Sequence, residues 1–158
     1  MTEKVQTNYI FLDVDGVLNR YGVRYNDHDE ELDDYLISHL QKLVKDTNAV
    51  LILSSAWRDG WKENSSEEEN PQNEPYFDRL VEKLAEHEMT LSDRLGKIQW
   101  HREDAIREYL EQHPEVQNFV ILDDWNDMGE YTDRLILTNP REGLTEADVE
   151  KAKRLLGA

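Results

Sequence analysis

The fold is decided near one end of the sequence by residues 9–19, which read YIFLDVDGVLN. The apolar run from Tyr9 to Leu12 is followed at once by two aspartates, Asp13 and Asp15. A continuous apolar run of this length is typical of a strand that is buried on both faces of a parallel sheet. Gly16 then permits a sharp turn. This stretch therefore predicts a central strand that ends in two carboxylates.

Similar apolar runs recur along the chain, and helical patterns lie between them. The further runs are at 49–53, 119–122 and, more weakly, 135–137. Apolar residues recur at helical spacing over four segments: 32–44, 77–84, 106–110 and 145–156. Strands that alternate with helices predict an α/β fold, a doubly wound and mainly parallel sheet with helices on both faces.

The composition and net charge exclude several classes of function. A length of 158 residues suits one domain, which we expect over 1–158. The chain carries 35 acidic and 18 basic residues, and the net charge of −17 opposes simple electrostatic attraction to nucleic acid or anionic membrane. A local cationic site can still hold a nucleic-acid substrate. Since there is no cysteine, disulfides, thiolate metal sites and a cysteine nucleophile are excluded.

No segment of the sequence predicts membrane insertion or export. The longest apolar run, Ala49 to Leu53, is far shorter than the roughly 18–20 residues of a membrane helix. The first residues, MTEKVQTN, are too polar for a signal peptide. We therefore expect a cytoplasmic protein with no membrane partner. Residues 59–75 contain prolines and a run of glutamates, a composition that predicts a mobile acidic loop.

The first strand end favours a metal site. In open parallel sheets, ligands bind beyond the carboxyl ends of the strands. Asp13 and Asp15 start on the same side of the chain, and two carboxylates held that close repel each other unless a cation lies between them. Mg²⁺, a hard dication that prefers oxygen ligands, suits this position. A plain turn is the alternative, whereas a calcium loop does not fit because its last ligand position is Arg24.

The other two long strands also end in polar residues. Ser54 follows the run 49–53, where a hydroxyl and backbone N–H groups can hold a phosphate oxygen. Asp123, Asp124 and Asp127 follow the run 119–122, and such an acidic run after a buried strand is costly without a cation. An ordinary serine at a strand exit and a solvated acidic turn are the alternatives.

Cations precede one of the predicted helices. Lys97, His101 and Arg102 stand just before the helix at 106–110. A cation at a helix N-terminus opposes the helix dipole, so the placement is favourable where an anion such as phosphate binds too. A surface charge is the alternative for each of them.

The order of these strand ends resembles the haloacid dehalogenase (HAD) superfamily of phosphatases and phosphotransferases. The matching segments are FLDVDGVLN, LILS ending at Ser54, Lys97 or Arg102, and ILDD ending at Asp124. The resemblance covers roughly residues 8–138. More narrowly, the segments SSAWR, REDAIREYL, VILDD and GLTEAD resemble the HAD domain of Swiss Army Knife RNA repair proteins.

The resemblance implies a Mg²⁺-dependent phosphatase. It makes Asp13 the nucleophile that forms an aspartyl-phosphate, and Asp15 the general acid and base. It places Mg²⁺ between Asp13, the backbone carbonyl of Asp15 and Asp124. Asp123 or Asp127 would then support the metal ligands.

The resemblance also implies a set of groups that hold the phosphate. Ser54 is preferred over Ser55, because it follows the apolar run directly. Arg102 is preferred over Lys97 by its position, although Lys97 matches the family by residue type. Three arginines near the motif ends are expected to form a phosphate-binding rim: Arg20, Arg24 and Arg58.

The substrate is expected to be a phosphorylated molecule that reaches an open site. Neither the segment 20–29 nor 59–75 resembles a folded cap domain, so the open site suits a bulky substrate, such as a nucleic-acid end or a phosphoprotein, and small esters as well. Of these, RNA or DNA ends and nucleotides are the expected substrates. Trp57, Trp61 and Trp125 are candidates to stack on bases, or to pack around the site. The alternative function is a catalytically silent HAD-like binding or regulatory module. A receiver-type phosphoacceptor is disfavoured because Ser54 stands where an aspartate would be needed.

Overall fold

The structure is a computed structural model that describes residues 7–21, 32–54, 74–96 and 102–157. Its elements follow one another in this order: β1 (Asn8–Leu12), α1 (Asp34–Thr47), β2 (Val50–Leu53), α2 (Glu74–Glu86), β3 (Leu91–Arg94), α3 (Arg102–Gln112), β4 (Asn118–Asp123), a 3₁₀ helix (Gly129–Arg134), β5 (Leu135–Leu137) and α4 (Glu146–Leu156).

The five strands form one parallel sheet in the order β3-β2-β1-β4-β5. Leu12 of β1 pairs with Leu53 of β2 and with Leu122 of β4, so these three strands end at the same level. The chain order reverses between β1 and β4. The crevice beyond their ends is therefore the topological switch point at which open α/β sheets bind ligands.

Helices cover both faces of the sheet because alternate strand residues point to opposite sides. On one face the strands pack against α1, α2 and α4, through residues such as Leu40, Leu80 and Val149. On the other face Phe11 packs with Ile106 of α3. The central strand is thereby buried on both sides, which fixes the position of the residues that follow it.

The doubly wound parallel α/β fold predicted from the sequence is confirmed. Strand β3, however, was not predicted. Its sequence, Leu-Ser-Asp-Arg, has one apolar residue, because an edge strand that pairs only with β2 is partly exposed. Within the described residues no cap domain is evident.

The helices change two predicted boundaries. Helix α2 begins at Glu74, so the last two positions of the predicted loop 59–75 are helical, and residues 59–73 lie outside the described residues. Helix α3 begins at Arg102 itself, which places that side chain on its first turn. None of the described helices is long and apolar enough to cross a membrane.

Candidate active site

Asp13 is the first residue after the central strand. Its backbone N–H donates to the carbonyl of Leu122 (3.0 Å), which extends the pairing of β1 with β4 beyond the strand. Only 2% of the residue is exposed. A carboxylate that is buried this deeply is costly unless charges or hydrogen bonds compensate it. The surroundings of Asp13 therefore decide what this edge of the sheet can bind.

Three carboxylates converge at this edge. One carboxylate oxygen from each of Asp13, Asp123 and Asp124 lies within 4.8 Å of the other two. Mg²⁺ binds oxygen ligands at about 2.1 Å in octahedral geometry, so opposite ligands are about 4.2 Å apart. The oxygen-only donor set therefore suits a hard dication such as Mg²⁺, and the three oxygens are close enough together to converge on one ion with a small movement of the side chains.

Arg102 reaches these carboxylates from the first turn of α3. Its Nη1 donates a hydrogen bond to Asp123 Oδ2 (2.6 Å) and lies 3.2 Å from Asp13 Oδ2. The second contact is an ion pair without hydrogen-bond alignment. Asp13 Oδ2 is thus buried and, among the described residues, has no hydrogen-bond partner. One guanidinium offsets part of the charge of two buried carboxylates, and an oxygen of Asp13 is left for a ligand.

Asp123 and Asp124 differ in their surroundings. Asp123 Oδ1 accepts the backbone N–H of Trp125 (2.9 Å), and Oδ2 accepts Arg102, so both oxygens are engaged. Asp124 is only partly buried and lies against the turn at Gly16. This difference makes Asp124 the more available of the two for a metal, while Asp123 is held by its own partners; which of them binds an ion stays a prediction.

Burial and like charge raise the pKa of both buried aspartates. For Asp13, burial raises the pKa well above its ordinary value of 3.8, and the charge of Asp123 raises it further against the opposing Arg102. For Asp123, burial also raises the pKa, and Arg102 opposes this. A dication bound between these groups would favour their charged forms.

The raised pKa of Asp13 should cost the metal-free protein stability as the pH rises. Because the pKa of Asp13 is higher in the folded state, its contribution to the free energy of unfolding is fully present below pH 3.8. This contribution is lost as the pH rises through the raised pKa. Over that pH range we expect the free energy of unfolding of Asp13→Asn to rise relative to that of the wild type, by at most about 1.4 kcal/mol per pH unit. Urea titrations in chelator at several pH values measure this difference. A difference that does not change with pH would contradict it.

Ser54 follows β2 at the level of Asp13. Its backbone N–H donates to the carbonyl of Leu12 (2.8 Å), the residue before Asp13. The side chain is buried, and Oγ has no hydrogen-bond partner among the described residues. A buried hydroxyl without a partner costs about 1–3 kcal/mol. A phosphate oxygen at this position would offset that cost, which is the role predicted for Ser54.

The turn after β1 is held by side chains of the turn and of the segment after β5. The N–H of Gly16 donates to Asn19 Oδ1 (2.8 Å), and Asn19 Nδ2 donates to Asp15 Oδ1 (3.0 Å). Thr138 Oγ1 donates to the carbonyl of Gly16 (2.8 Å). Since Asn19 and Thr138 are buried, these hydrogen bonds fix the position of Asp15 next to Asp13.

Replacing Gly16 with alanine should disrupt the acidic centre. Gly16 has φ +81°, which costs other residues roughly 1 kcal/mol or more, and an added Cβ would come within 2.8 Å of Asp124 Cγ. We expect the unfolding free energy to fall by about 1–3 kcal/mol and the Mg²⁺ affinity at least about tenfold. Urea unfolding and calorimetric Mg²⁺ titration check this. Gly96→Ala is the control, because an added Cβ there meets nothing within 4 Å. Unchanged Mg²⁺ affinity in Gly16→Ala would contradict the prediction.

Other predicted site residues are not brought into the acidic centre. Arg20 is paired with Asp33, the N-cap of α1, at 2.9 Å between Nη2 and Oδ2. Asp127 is exposed, and neither its carboxylate nor that of Asp15 belongs to the three-carboxylate group. The remaining predicted positions lie outside the described residues: Arg24, Ser55, Trp57, Arg58, Trp61, Lys97 and His101.

Sequence reasoning assigned no role to Asn19 or Thr138. Asn19 stands inside the first motif, and Thr138 directly follows the weak apolar run 135–137. The strand-end reasoning applied to the longer runs would have found Thr138.

The fold and the site together define a HAD-like α/β domain. A buried aspartate ends the central strand at the switch point, and it faces an acidic strand end and a helix-borne cation. The family model for the HAD domain in Swiss Army Knife RNA repair proteins matches residues 9–149. The chain therefore belongs to this family, and the resemblance inferred from its motifs is confirmed.

Membership in the family indicates a hydrolase or phosphatase of the HAD type, or a role in RNA repair. The group formed by Asp13, Asp123 and Asp124 is compatible with such chemistry. Neither the search of curated proteins nor the search of solved structures returned a match.

Proposed function

We propose that this protein is a Mg²⁺-dependent phosphomonoester hydrolase that works through an aspartyl-phosphate on Asp13. The observation that carries the proposal is the state of Asp13. It is buried at the switch point, paired in charge with Arg102, and keeps an oxygen that no described residue hydrogen-bonds. A nucleophile requires such an oxygen, and a stabilising environment for its charge.

In the first step a carboxylate oxygen of Asp13 attacks the phosphorus of the ester. A bond forms between this oxygen and phosphorus, while the bond from phosphorus to the leaving oxygen breaks. Asp15 donates its proton to the leaving oxygen, so an alcohol departs. The hydrogen bond from Asn19 to Asp15 Oδ1 holds the carboxyl group for this transfer.

In the second step a water molecule attacks the phosphorus of the aspartyl-phosphate. Asp15, now ionised, takes a proton from the water, and the bond between phosphorus and Asp13 breaks. Inorganic phosphate leaves, and both carboxyl groups return to their starting forms. Asp15 therefore acts first as an acid and then as a base, as its place next to Asp13 allows.

By the family resemblance, Asp13, Asp124 and the backbone carbonyl of Asp15 would hold Mg²⁺. Of these groups, the carboxylates of Asp13 and Asp124 belong to the converging acidic group. When bound, the ion offsets the negative charge shared by the substrate phosphate and the carboxylates. Ser54 Oγ and the guanidinium of Arg102 would hold phosphoryl oxygens on the other side. Fixed donors of this kind stabilise the charge that develops in the transition state.

Phosphorylated RNA or DNA ends and nucleotides are the proposed substrates. This choice is supported by the family of the chain, whose described members are RNA repair proteins. Because the net charge of the chain is −17, it repels a nucleic acid as a whole, and such a substrate would be held by local groups at the site. A cytoplasmic location remains a prediction from the sequence.

The test is phosphate release from a panel of esters, each measured with Mg²⁺ and with chelator. The panel holds oligonucleotides phosphorylated at the 5′ or 3′ end, mononucleotides, a phosphopeptide, sugar phosphates and an aryl phosphate. Chelator-sensitive release that favours one oligonucleotide end supports the full proposal. Release from small esters alone retains the hydrolase and rejects the nucleic-acid substrate. No release from any ester by folded protein favours a silent binding module.

Arg102→Ala should lower kcat/KM by about 10²–10³-fold, because the transition state loses a fixed cation. Arg102→Lys should recover part of this loss, since a point charge remains without the planar fork. Initial rates with the best ester measure both variants. Arg107→Ala is the matched control, because Arg107 lies on the same helix with exposed partners that contribute little. Arg102→Ala with a kcat/KM within threefold of the wild type would contradict the assignment.

A further inference from the structure

We propose that the cleft between β3 and α3 is a second binding site, which takes the primary ammonium group of a small organic cation between Asp93 and His113. The cleft has a volume of about 300 Å³, near the lower end of the range for small-molecule sites. None of the residues that line it belongs to the acidic centre. The inference therefore does not depend on the proposed hydrolase activity.

His113 directly follows α3 and is held there by two contacts with Tyr109. The two rings are stacked, with 3.9 Å between their centroids and 15° between their planes. The Nδ1 atom of His113 lies 2.9 Å from the carbonyl oxygen of Tyr109, and a carbonyl oxygen can only accept a hydrogen bond. The neutral ring therefore carries its hydrogen on Nδ1, which leaves Nε2 as an acceptor.

Asp93 of β3 supplies a second acceptor that is fixed in position. Its Oδ2 accepts a hydrogen bond from the hydroxyl of Tyr109 (2.7 Å), and its Oδ1 accepts the backbone N–H of Arg94 (2.8 Å). Burial, and then the hydrogen bond to Asp93, raises the pKa of Tyr109, so its hydroxyl remains a donor at neutral pH. Because each carboxylate oxygen has two lone pairs, Asp93 Oδ2 can accept one further donor.

The two acceptors lie next to each other in the cleft. His113 Nε2 is 3.8 Å from Asp93 Oδ2, which is too far for a direct hydrogen bond. Among the described residues, no donor reaches this Nε2 atom. One nitrogen with two N–H groups, at about 2.9 Å from both atoms, would donate to each of them in nearly straight hydrogen bonds. A water molecule can donate to both atoms as well, so the charge of the lining decides between them.

The lining favours an organic cation over water and over a metal ion. Asp93 and Glu108 are negative and Arg94 is positive, so the lining is negative overall, as is the whole chain with its net charge of −17. Zinc sites use three or four protein ligands, and the acidic centre is the one group of described residues that offers three. Leu95 and Ala105 add buried apolar groups, against which a short carbon chain can pack.

The experiment titrates the whole chain with three probes of similar size, which are butylammonium, tetramethylammonium and butanol. Only butylammonium combines a positive charge with N–H donors. We expect it to bind with a Kd of about 1 mM and to shift the imidazole signals of His113 in NMR spectra. The other two probes should bind at least about tenfold more weakly, because each lacks the donors or the charge.

Two variants test the pair of acceptors separately. Asp93→Asn removes the negative charge, and His113→Phe removes the Nε2 acceptor but keeps a ring that can stack on Tyr109. Each should raise the Kd for butylammonium by roughly tenfold. His87→Phe is the matched control, because Nε2 of His87 also lies close to a carboxylate, 3.5 Å from Asp34, but outside the cleft. Its Kd should equal that of the wild type.

Several results would overturn the inference. They are no binding of butylammonium to the folded wild type, equal binding of tetramethylammonium, or an unchanged Kd in either Asp93→Asn or His113→Phe. Imidazole shifts of His87 as large as those of His113 would show that the cation binds without selecting the cleft. Thermal melts identify a variant that fails to fold, and the comparison of the three probes on the wild type then still decides. None of these measurements uses ester hydrolysis, so a failure of the proposed function leaves the test unchanged.

Discussion

Asp13→Asn should lose phosphate release by about three orders of magnitude or more, with the fold intact. The amide is neutral and a poor nucleophile, so the covalent step has no attacking oxygen of comparable strength. The folded state should tolerate the change because it removes one charge from a crowded group. Burial and the neighbouring Asp123 already raise the pKa of Asp13, which means that its charged form is disfavoured there.

The control for this comparison is the same aspartate-to-asparagine change at a position outside the site. Asp133→Asn provides it, since Asp133 is exposed on the 3₁₀ helix and outside the carboxylate group. Phosphate release is measured for both variants with the best ester from the panel. Mass spectrometry of rapidly quenched wild type should show one added phosphoryl group on the peptide that contains Asp13. More than a tenth of wild-type activity in Asp13→Asn would reject Asp13 as the nucleophile.

The second large effect is expected on removal of Mg²⁺. Chelator should abolish phosphate release, because Asp13, Asp123 and Asp124 then repel each other and the substrate phosphate. Adding Mg²⁺ to the chelator-treated protein should also raise its melting temperature. At a concentration roughly 100-fold above Kd, binding stabilises the fold by about 2.7 kcal/mol, which corresponds to about 5–10 °C for a domain of this size.

Asp124→Asn is the variant that tests the site of binding. It replaces the least engaged carboxylate of the group, so we expect most of the Mg²⁺-dependent rise in melting temperature to disappear. Asp133→Asn should show the full wild-type rise under the same conditions. An equal rise in Asp124→Asn and wild type would place the ion elsewhere. No rise in any variant, together with activity in chelator, would remove Mg²⁺ from the proposed function.

The positions of the central strands could be predicted from the sequence. Strands β1, β2 and β4 are buried on both faces, so their apolar runs are continuous and visible. Strand β3 could not be predicted, because an edge strand with partly exposed residues needs no such run. The residues at the carboxyl ends of these strands, Asp13, Ser54 and Asp123, followed from the same reasoning. The rule that parallel strands present their carboxyl ends together was enough to group them.

The contacts among the predicted residues depended on the tertiary structure. Arg102, on the first turn of α3, meets Asp13 after β1 and Asp123 at the end of β4, and no sequence spacing specifies these contacts. Arg20, which stays a predicted phosphate-binding residue, pairs with Asp33, which is close to it only after the turn has folded. The ion pairs that each charged side chain forms therefore depend on its neighbours in the folded structure and not on its position in a motif.

The sequence by itself determined the class of sheet, the strand ends that carry chemistry and the family of the chain. These properties depend on burial and on local spacing, which leave a periodic record in the residue order. Only the tertiary structure decided that Asp124 joins the acidic centre while Asp127 stays exposed. Strand order and register bring together residues that are about 100 positions apart, and side-chain distances at the site follow from that packing.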